Sequence, residues 1–289
     1  MKRLLILIFL ASDLASAQPA TDIYLFDLAG ENGKLVLTNG TNITRHKGYD
    51  NQPYFHPSLP LVYYASANDS GRTDIKVYNW TTRETSSLTR THDREYSPTV
   101  TPDGKFLSCI LQLDNGAQNL VQYPINGGQP RELVWHLKVG YHAWGGEQRV
   151  LLFVLDDSVR NSLHNYHLDT NSDTVIAENI GRCLLRIPGQ NAISFVQKLP
   201  GNRGVIKRFD LQTGVISTIN NTLDGQDFLT FFADGSMLAS DGIRFYTCSN
   251  LYQASWQPVE EGAGVPVLKG ITRLALSADN RKLAVVVSE

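Results

Sequence analysis

Cysteine is scarce in this chain of 289 residues, and the three present, Cys109, Cys183 and Cys248, form an odd, scattered set. Without a CxxC step they fit neither a disulfide framework nor a structural zinc site, and they read as small buried apolar side chains. An excess of either charge is missing too: 26 Lys and Arg stand against 28 Asp and Glu. That balance gives no broad electrostatic attraction to nucleic acid or to an anionic membrane. Past residue 17 no segment approaches the ~18 consecutive apolar residues of a membrane-spanning helix, so no membrane insertion is expected. A Gly-x-Ser-x-Gly elbow is absent, which removes the usual serine hydrolase signal. Gly127-Gly128 and Gly145-Gly146 lack the strand-to-helix setting of a phosphate loop. No cofactor is implied.

What is present begins at the N-terminus. Lys2 and Arg3 precede an apolar run from Leu4 to Ala11, and Ala15-Ser16-Ala17 supplies the small-x-small step of a leader cleavage site. Residues 1–17 are therefore read as a signal peptide, with an N-terminal buried strand as the alternative, and residues 18–289 as one domain. Cleavage takes away two of the 26 basic residues and one of the 28 acidic ones, leaving 24 against 27 and a net charge of −3. No cysteine follows the cleavage step to accept a lipid anchor. Export without evident disulfides suits a periplasm, or else secretion, and a monomer.

The rest of the chain repeats. Gln52-Pro53-Tyr54-Phe55-His56-Pro57 lies 45 residues before Ser97-Pro98-Thr99-Val100-Thr101-Pro102, and Tyr141-His142-Ala143-Trp144 follows after a similar interval. Weaker copies start at Leu184, Leu229 and Leu274. Each copy leads through a turn into an apolar run, with Asp103-Gly104 and Asp234-Gly235 as favoured hairpin dipeptides. A second hairpin follows in step: Tyr78, Tyr123, Tyr166 and Phe209 are 45, 43 and 43 residues apart. A four-stranded unit of ~40–45 residues is the size of a propeller blade.

The two ends supply half a blade each. Leu274–Leu276 and Leu283–Val287 form only a first hairpin, whereas Tyr24–Leu28 and Leu35–Leu37, joined by a turn at Glu31-Asn32-Gly33, form only a second one. Joining them closes a ring and removes the open sheet edges. The expected fold is an all-β, six-bladed β-propeller whose last blade pairs N-terminal with C-terminal strands. Phe55, Trp144, Phe153, Phe195 and Phe231 are expected in the core between blades, and Trp80 and Trp256 partly exposed near the outer strands.

Tyr96-Ser97-Pro98-Thr99-Val100-Thr101-Pro102-Asp103-Gly104-Lys105-Phe106-Leu107 resembles the repeat tag of the TolB-like, WD40-like (PD40) propeller family. The resemblance covers about residues 20–289 and implies an extracytoplasmic propeller that grips a protein or peptide through its central funnel. TolB carries an additional α/β domain before its propeller, for which this chain has no room. Roles that depend on that domain are not carried over.

Chemistry-bearing clusters are few. His164 and His167, three apart on a strand, would face opposite ways and read as surface residues near a turn. Asp156-Asp157 reads as a hairpin turn. One constellation stands out, because the residues that open the innermost strand of each blade ring one end of a propeller channel. At those positions are Asp50, Glu95, Tyr96, Tyr141, His142, Arg182, Asp227 and Arg273. They are either solvated loop tips and inter-blade hydrogen-bonding groups or a binding mouth presenting both charge signs and two aromatics. The expected function is a non-catalytic binding scaffold for a protein or peptide of the cell envelope, or a glycan. The alternative is a metal-assisted propeller enzyme of lactonase or lyase type, with Asp50, Glu95 and Asp227 as candidate ligands to a channel ion.

Overall fold

The computed structural model describes residues 18–31, 34–156, 161–223, 225–249, 254–261 and 265–289. The expected leader at 1–17, Asn32-Gly33 of one expected turn and Asp157 of another lie outside them.

Six sheets, each built as an antiparallel meander, form the blades. Blade 1 runs from the strand Asp50–Phe55 to Glu84–Ser87, blade 2 from Arg94–Val100 to Arg131–Val134, and blade 3 from Val139–Gly146 to Ser172–Glu178. Blade 4 runs from Ile180–Arg186 to Ile216–Asn221 and blade 5 from Leu229–Phe231 to Gln257–Pro258. In each the first strand is innermost.

Blade 6 is composite, as expected from the half blades. From the inside outward its strands are Arg273–Leu276, Lys282–Ser288, Thr21–Glu31 and Lys34–Asn42. The seam pairs Tyr24 with Val285 and Phe26 with Leu283. A fifth strand, Glu260–Glu261, adds in parallel outside Val36 and Leu37, a departure from the four-stranded expectation.

The second strands explain why the sequence shows plain apolar runs there. Leu61–Ala67, Phe106–Gln112 and Lys282–Ser288 bury five successive residues, because both faces meet a neighbouring blade. Outer strands such as Glu84–Ser87 and Ser172–Glu178 are mostly exposed and correspondingly polar. The core is six layers, one between each pair of adjacent blades. An aromatic on the third strand enters nearly every layer: Phe26, Tyr78, Tyr123, Tyr166, Phe209 and, in blade 5, Phe245. The five expected core aromatics and all three cysteines are buried, while Trp80 and Trp256 keep partial exposure.

The hairpins closing the far end of the channel share a local device. In blade 2 the Thr101 hydroxyl donates to Asp103, which also accepts from the Lys105 amide, and Gly104 takes φ +70°. Blade 6 repeats it with Ser277, Asp279 and Asn280. A short side chain that tolerates positive φ lets the turn match the strand twist.

Candidate functional site

The innermost strands of all six blades enclose a central channel of about 360 Å³, lined in part by Gln52, Ser97, Tyr141, Arg182, Phe228 and Arg273. At the end where those strands begin, it widens into a mouth of about 510 Å³. Of the eight expected residues, Tyr96, Tyr141, Arg182 and Arg273 line this mouth.

Arg273 is the most constrained of them. Its Nη2 donates to the Tyr141 hydroxyl at 2.7 Å. Its guanidinium lies 4.1 Å from the Phe228 ring centre and 5.0 Å from that of Tyr141, the geometry of cation–π attraction. Arg182 is exposed and faces the same space. Burial works to raise the Tyr141 phenol, but the charges of Arg273 and Arg182 and hydrogen bonds from Arg273 and Gln52 outweigh it, so it sits below its ordinary value. Tyr49 stands edge-on to Tyr96 with ring centres 6.2 Å apart, and the Tyr96 hydroxyl accepts from the Gln18 amide at 3.0 Å.

The other four expected residues serve the scaffold. Glu95 is 0 % exposed, and its carboxylate accepts from Thr89, Thr91 and Tyr123. Burial pushes its carboxyl up despite those bonds. Asp227 pairs with Lys198 at 2.7 Å. His142 lines the channel wall, with Nε2 2.7 Å from the Ser108 hydroxyl. Burial lowers its imidazole to about 3, so it is neutral at ordinary pH. Its Nδ1 has no partner. A bare ring nitrogen costs less there than an orphaned N–H, which assigns the proton to Nε2.

Asp50 is also 0 % exposed, its carboxylate 3.1 Å from the His46 imidazole. Burial, opposed by the Ser66 hydroxyl and the His46 charge, pushes it up to about 6. A carboxyl raised in the folded state adds stability below its ordinary value of 3.8 that is lost as pH rises through about 6. Asp50→Asn should therefore gain on the wild type between pH 4 and pH 7, by at most about 1.4 kcal/mol per unit. Paired thermal melts across that range check it, and a constant difference would count against it.

Among the described residues the charged side chains lining the mouth are arginines, and the acidic members of the expected set lie off it. Adjacent strand residues point to opposite sides, so Glu95 turns into the blade while Tyr96 faces the mouth. Asp50, Glu95 and Asp227 do not converge on the channel. Among the described residues no three His, Cys, Asp or Glu side chains gather closely enough to hold a metal. The described residues therefore do not fit a channel ion.

Sequence reasoning missed Tyr49, Gln52 and Phe228. Gln52 and Ser97 sit at matching irregularities of blades 1 and 2, each with positive φ (59° and 54°) and each before a proline. That backbone is disfavoured for such residues. It is held by the Ser97 amide donating to Gln52 Oε1 at 2.7 Å, and bulges of this kind re-aim side chains. The paired Gln-Pro and Ser-Pro steps were the available signal.

His164, expected at the surface, is buried instead. Its Nε2 lies 2.8 Å from the Ser162 hydroxyl and its Nδ1 2.8–2.9 Å from the Asp173 carboxylate. The order is that of a nucleophile relay, but it sits on the two outer strands of blade 3, away from the channel.

No family model matches the chain, and no curated protein sequence matches it. Solved structures do. The putative TolB of Agrobacterium tumefaciens superposes with a TM-score of 0.69 at 14% identity, over 94% of this chain and 99% of that one. The fold is a TolB-like six-bladed β-propeller. TolB of Acinetobacter baumannii aligns with 93% of this chain at 14% identity and a TM-score of 0.58, and the TolB-like chain spans only 64% of its length. An oligogalacturonate lyase in complex with manganese shares the propeller as well, with a TM-score of 0.59, 13% identity, and 89% and 83% of the two chains covered. At such identities the likeness carries the fold, and this propeller's activity has to be argued from its own mouth.

Proposed function

We propose that the protein is an exported, non-catalytic scaffold that grips a protein or peptide of the cell envelope at its channel mouth. The observation that carries this reading is the ring of Tyr49, Tyr96, Tyr141, Phe228, Arg182 and Arg273 around one open cavity. Tyr and Arg are the residue types that most often dominate interface energies. They are mounted here on the ends of paired strands, a rigid support that reduces the entropy lost on binding. The leader pattern at residues 1–17 supports a task in the periplasm or outside the cell, and the intact mass of the exported chain checks that compartment. The enzyme alternative draws on the shared fold of the manganese-bound lyase, but the carboxylates it needs are turned away from the channel or paired with lysine.

Tyr96→Ala combined with Arg273→Ala should weaken capture of the native envelope partner at least tenfold, which corresponds to about 1.4 kcal/mol. Quantitative pull-down from envelope extract, with Lys105→Gln at the opposite end of the channel as control, measures it. Unchanged capture by the double variant moves the site off the mouth.

A further inference from the structure

We infer that the mouth recognises a carboxylate, carried by an acidic segment of a peptide ligand. This rests on the binding reading above and adds the chemistry of the ligand to it.

The first ground is unbalanced charge. Among the described residues the mouth is lined by Arg182 and Arg273 and by no aspartate or glutamate. Elsewhere the protein neutralises cations at close range: Arg72 and Arg94 share Asp114 at 2.9 and 3.1 Å, Arg208 meets Asp210 at 2.6 Å, and Lys282 meets Asp27. Among the described residues neither mouth arginine has a carboxylate partner. Both act on one phenol, Tyr141, so their fields overlap at one point of the cavity.

The second ground is geometry. A guanidinium presents five N–H donors in a planar fork that suits the two oxygens of a carboxylate. The Phe228 and Tyr141 rings and the hydrogen bond to the Tyr141 hydroxyl hold the Arg273 guanidinium in place before any ligand arrives, which leaves its remaining N–H donors partly pre-organised. Arg182 is exposed and lines the same cavity.

The third ground is the rest of the wall. Below the mouth the channel is lined by Pro53, Pro98, Leu184, Leu229 and Leu274 together with the polar Gln52, Thr99, His142 and Thr230. Apolar and aromatic side chains flanking an acidic one can pack on its apolar part. The mouth and channel, about 510 and 360 Å³, suit a few residues of extended chain and fall in the usual range of ligand sites.

Fluorescence anisotropy on the mature protein tests this with four dye-labelled probes. They are a short synthetic peptide alternating Glu with Phe, its counterpart with Gln for Glu and an amidated C-terminus, a phosphoserine peptide, and trigalacturonate. The acidic peptide should bind saturably and at least tenfold tighter than its uncharged counterpart, and added salt should erode the preference. Arg182→Gln and Arg273→Gln should each remove most of it, and Lys105→Gln should leave it intact. Arg182 shows no side-chain hydrogen bond or ion pair among the described residues, so its variant stays informative even if Arg273→Gln disturbs the contacts with Tyr141 and Phe228. Equal binding of the acidic and uncharged peptides at the mouth overturns the carboxylate assignment while leaving the binding reading in place. Tighter binding of the phosphopeptide or of trigalacturonate overturns it in favour of that chemistry. Failure of all four probes overturns it too, and the envelope capture experiment then judges the binding reading separately.

Discussion

A chain that starts at residue 42 is expected to lose its cooperative melt and to collect as aggregate. The deletion removes the third strand and nearly all of the fourth strand of blade 6. With them go Ile23, Leu25, Phe26, Leu28 and Leu37, all buried. These side chains serve two core layers, the one shared with blade 5 and the one shared with blade 1. At about 1.5–3 kcal/mol for each buried side chain, the loss comes to about 8–15 kcal/mol. That matches the ~5–15 kcal/mol by which a whole domain is stable. The cut also leaves the strand Lys282–Ser288 with an unpaired edge, an open template for association. Differential scanning calorimetry with size-exclusion chromatography measures the outcome. A sharp transition near that of the chain starting at residue 18 would show that the seam does not hold the ring.

The second large effect is expected from one hydroxyl. Ser108, on the second strand of blade 2, is fully buried. It donates to the Thr99 carbonyl at 2.9 Å, accepts from Trp144 Nε1 at 2.9 Å, and lies 2.7 Å from His142 Nε2. With the imidazole proton on Nε2, all three contacts are satisfied at once, the serine donating one and accepting two. Trp144 and His142 belong to blade 3, so the hydroxyl pins two blades together inside the channel wall. Ser108→Ala leaves two buried N–H groups without partners, at about 1–3 kcal/mol each, while the Thr99 carbonyl keeps its ladder pairing with residue 108. We expect a loss of at least about 2 kcal/mol, read as a lower urea midpoint with an unchanged slope. A loss below ~1 kcal/mol would mean that water replaces the hydroxyl.

Much of this architecture is written openly in the sequence. Blades are joined by buried second strands and third-strand aromatics, so Tyr78, Tyr123, Tyr166 and Phe209 recur at nearly constant spacing. The half blades at either end then fix the ring, and Tyr24 does pair with Val285. The added strand Glu260–Glu261 could not be read, because a two-residue parallel pairing leaves no periodicity.

At the mouth, repeat position alone identified which residues open each innermost strand but not which way they point. Neighbours such as Glu95 and Tyr96 occupy one offset yet face differently, and the irregularities after Asn51 and Tyr96 shift that phase. Of the eight residues, Asp50, Glu95, His142 and Asp227 are held within the scaffold, and the two tyrosines and two arginines line the cavity. Phe228 escaped notice because it lies one residue before its strand begins.

The seam between Thr21–Glu31 and Lys282–Ser288 also governs timing. The strand synthesised first has as its partner the strand synthesised last. At the usual pace of synthesis the interval between them is on the order of tens of seconds. Throughout that wait Phe26 and Ile23 have no finished layer to enter, and the nascent chain carries bare strand edges at both ends of an incomplete ring. Joining ends so far apart costs little extra entropy, since that cost grows only with the logarithm of loop length. The burden is one of exposure: such a chain depends on whatever shields it until its last strand arrives.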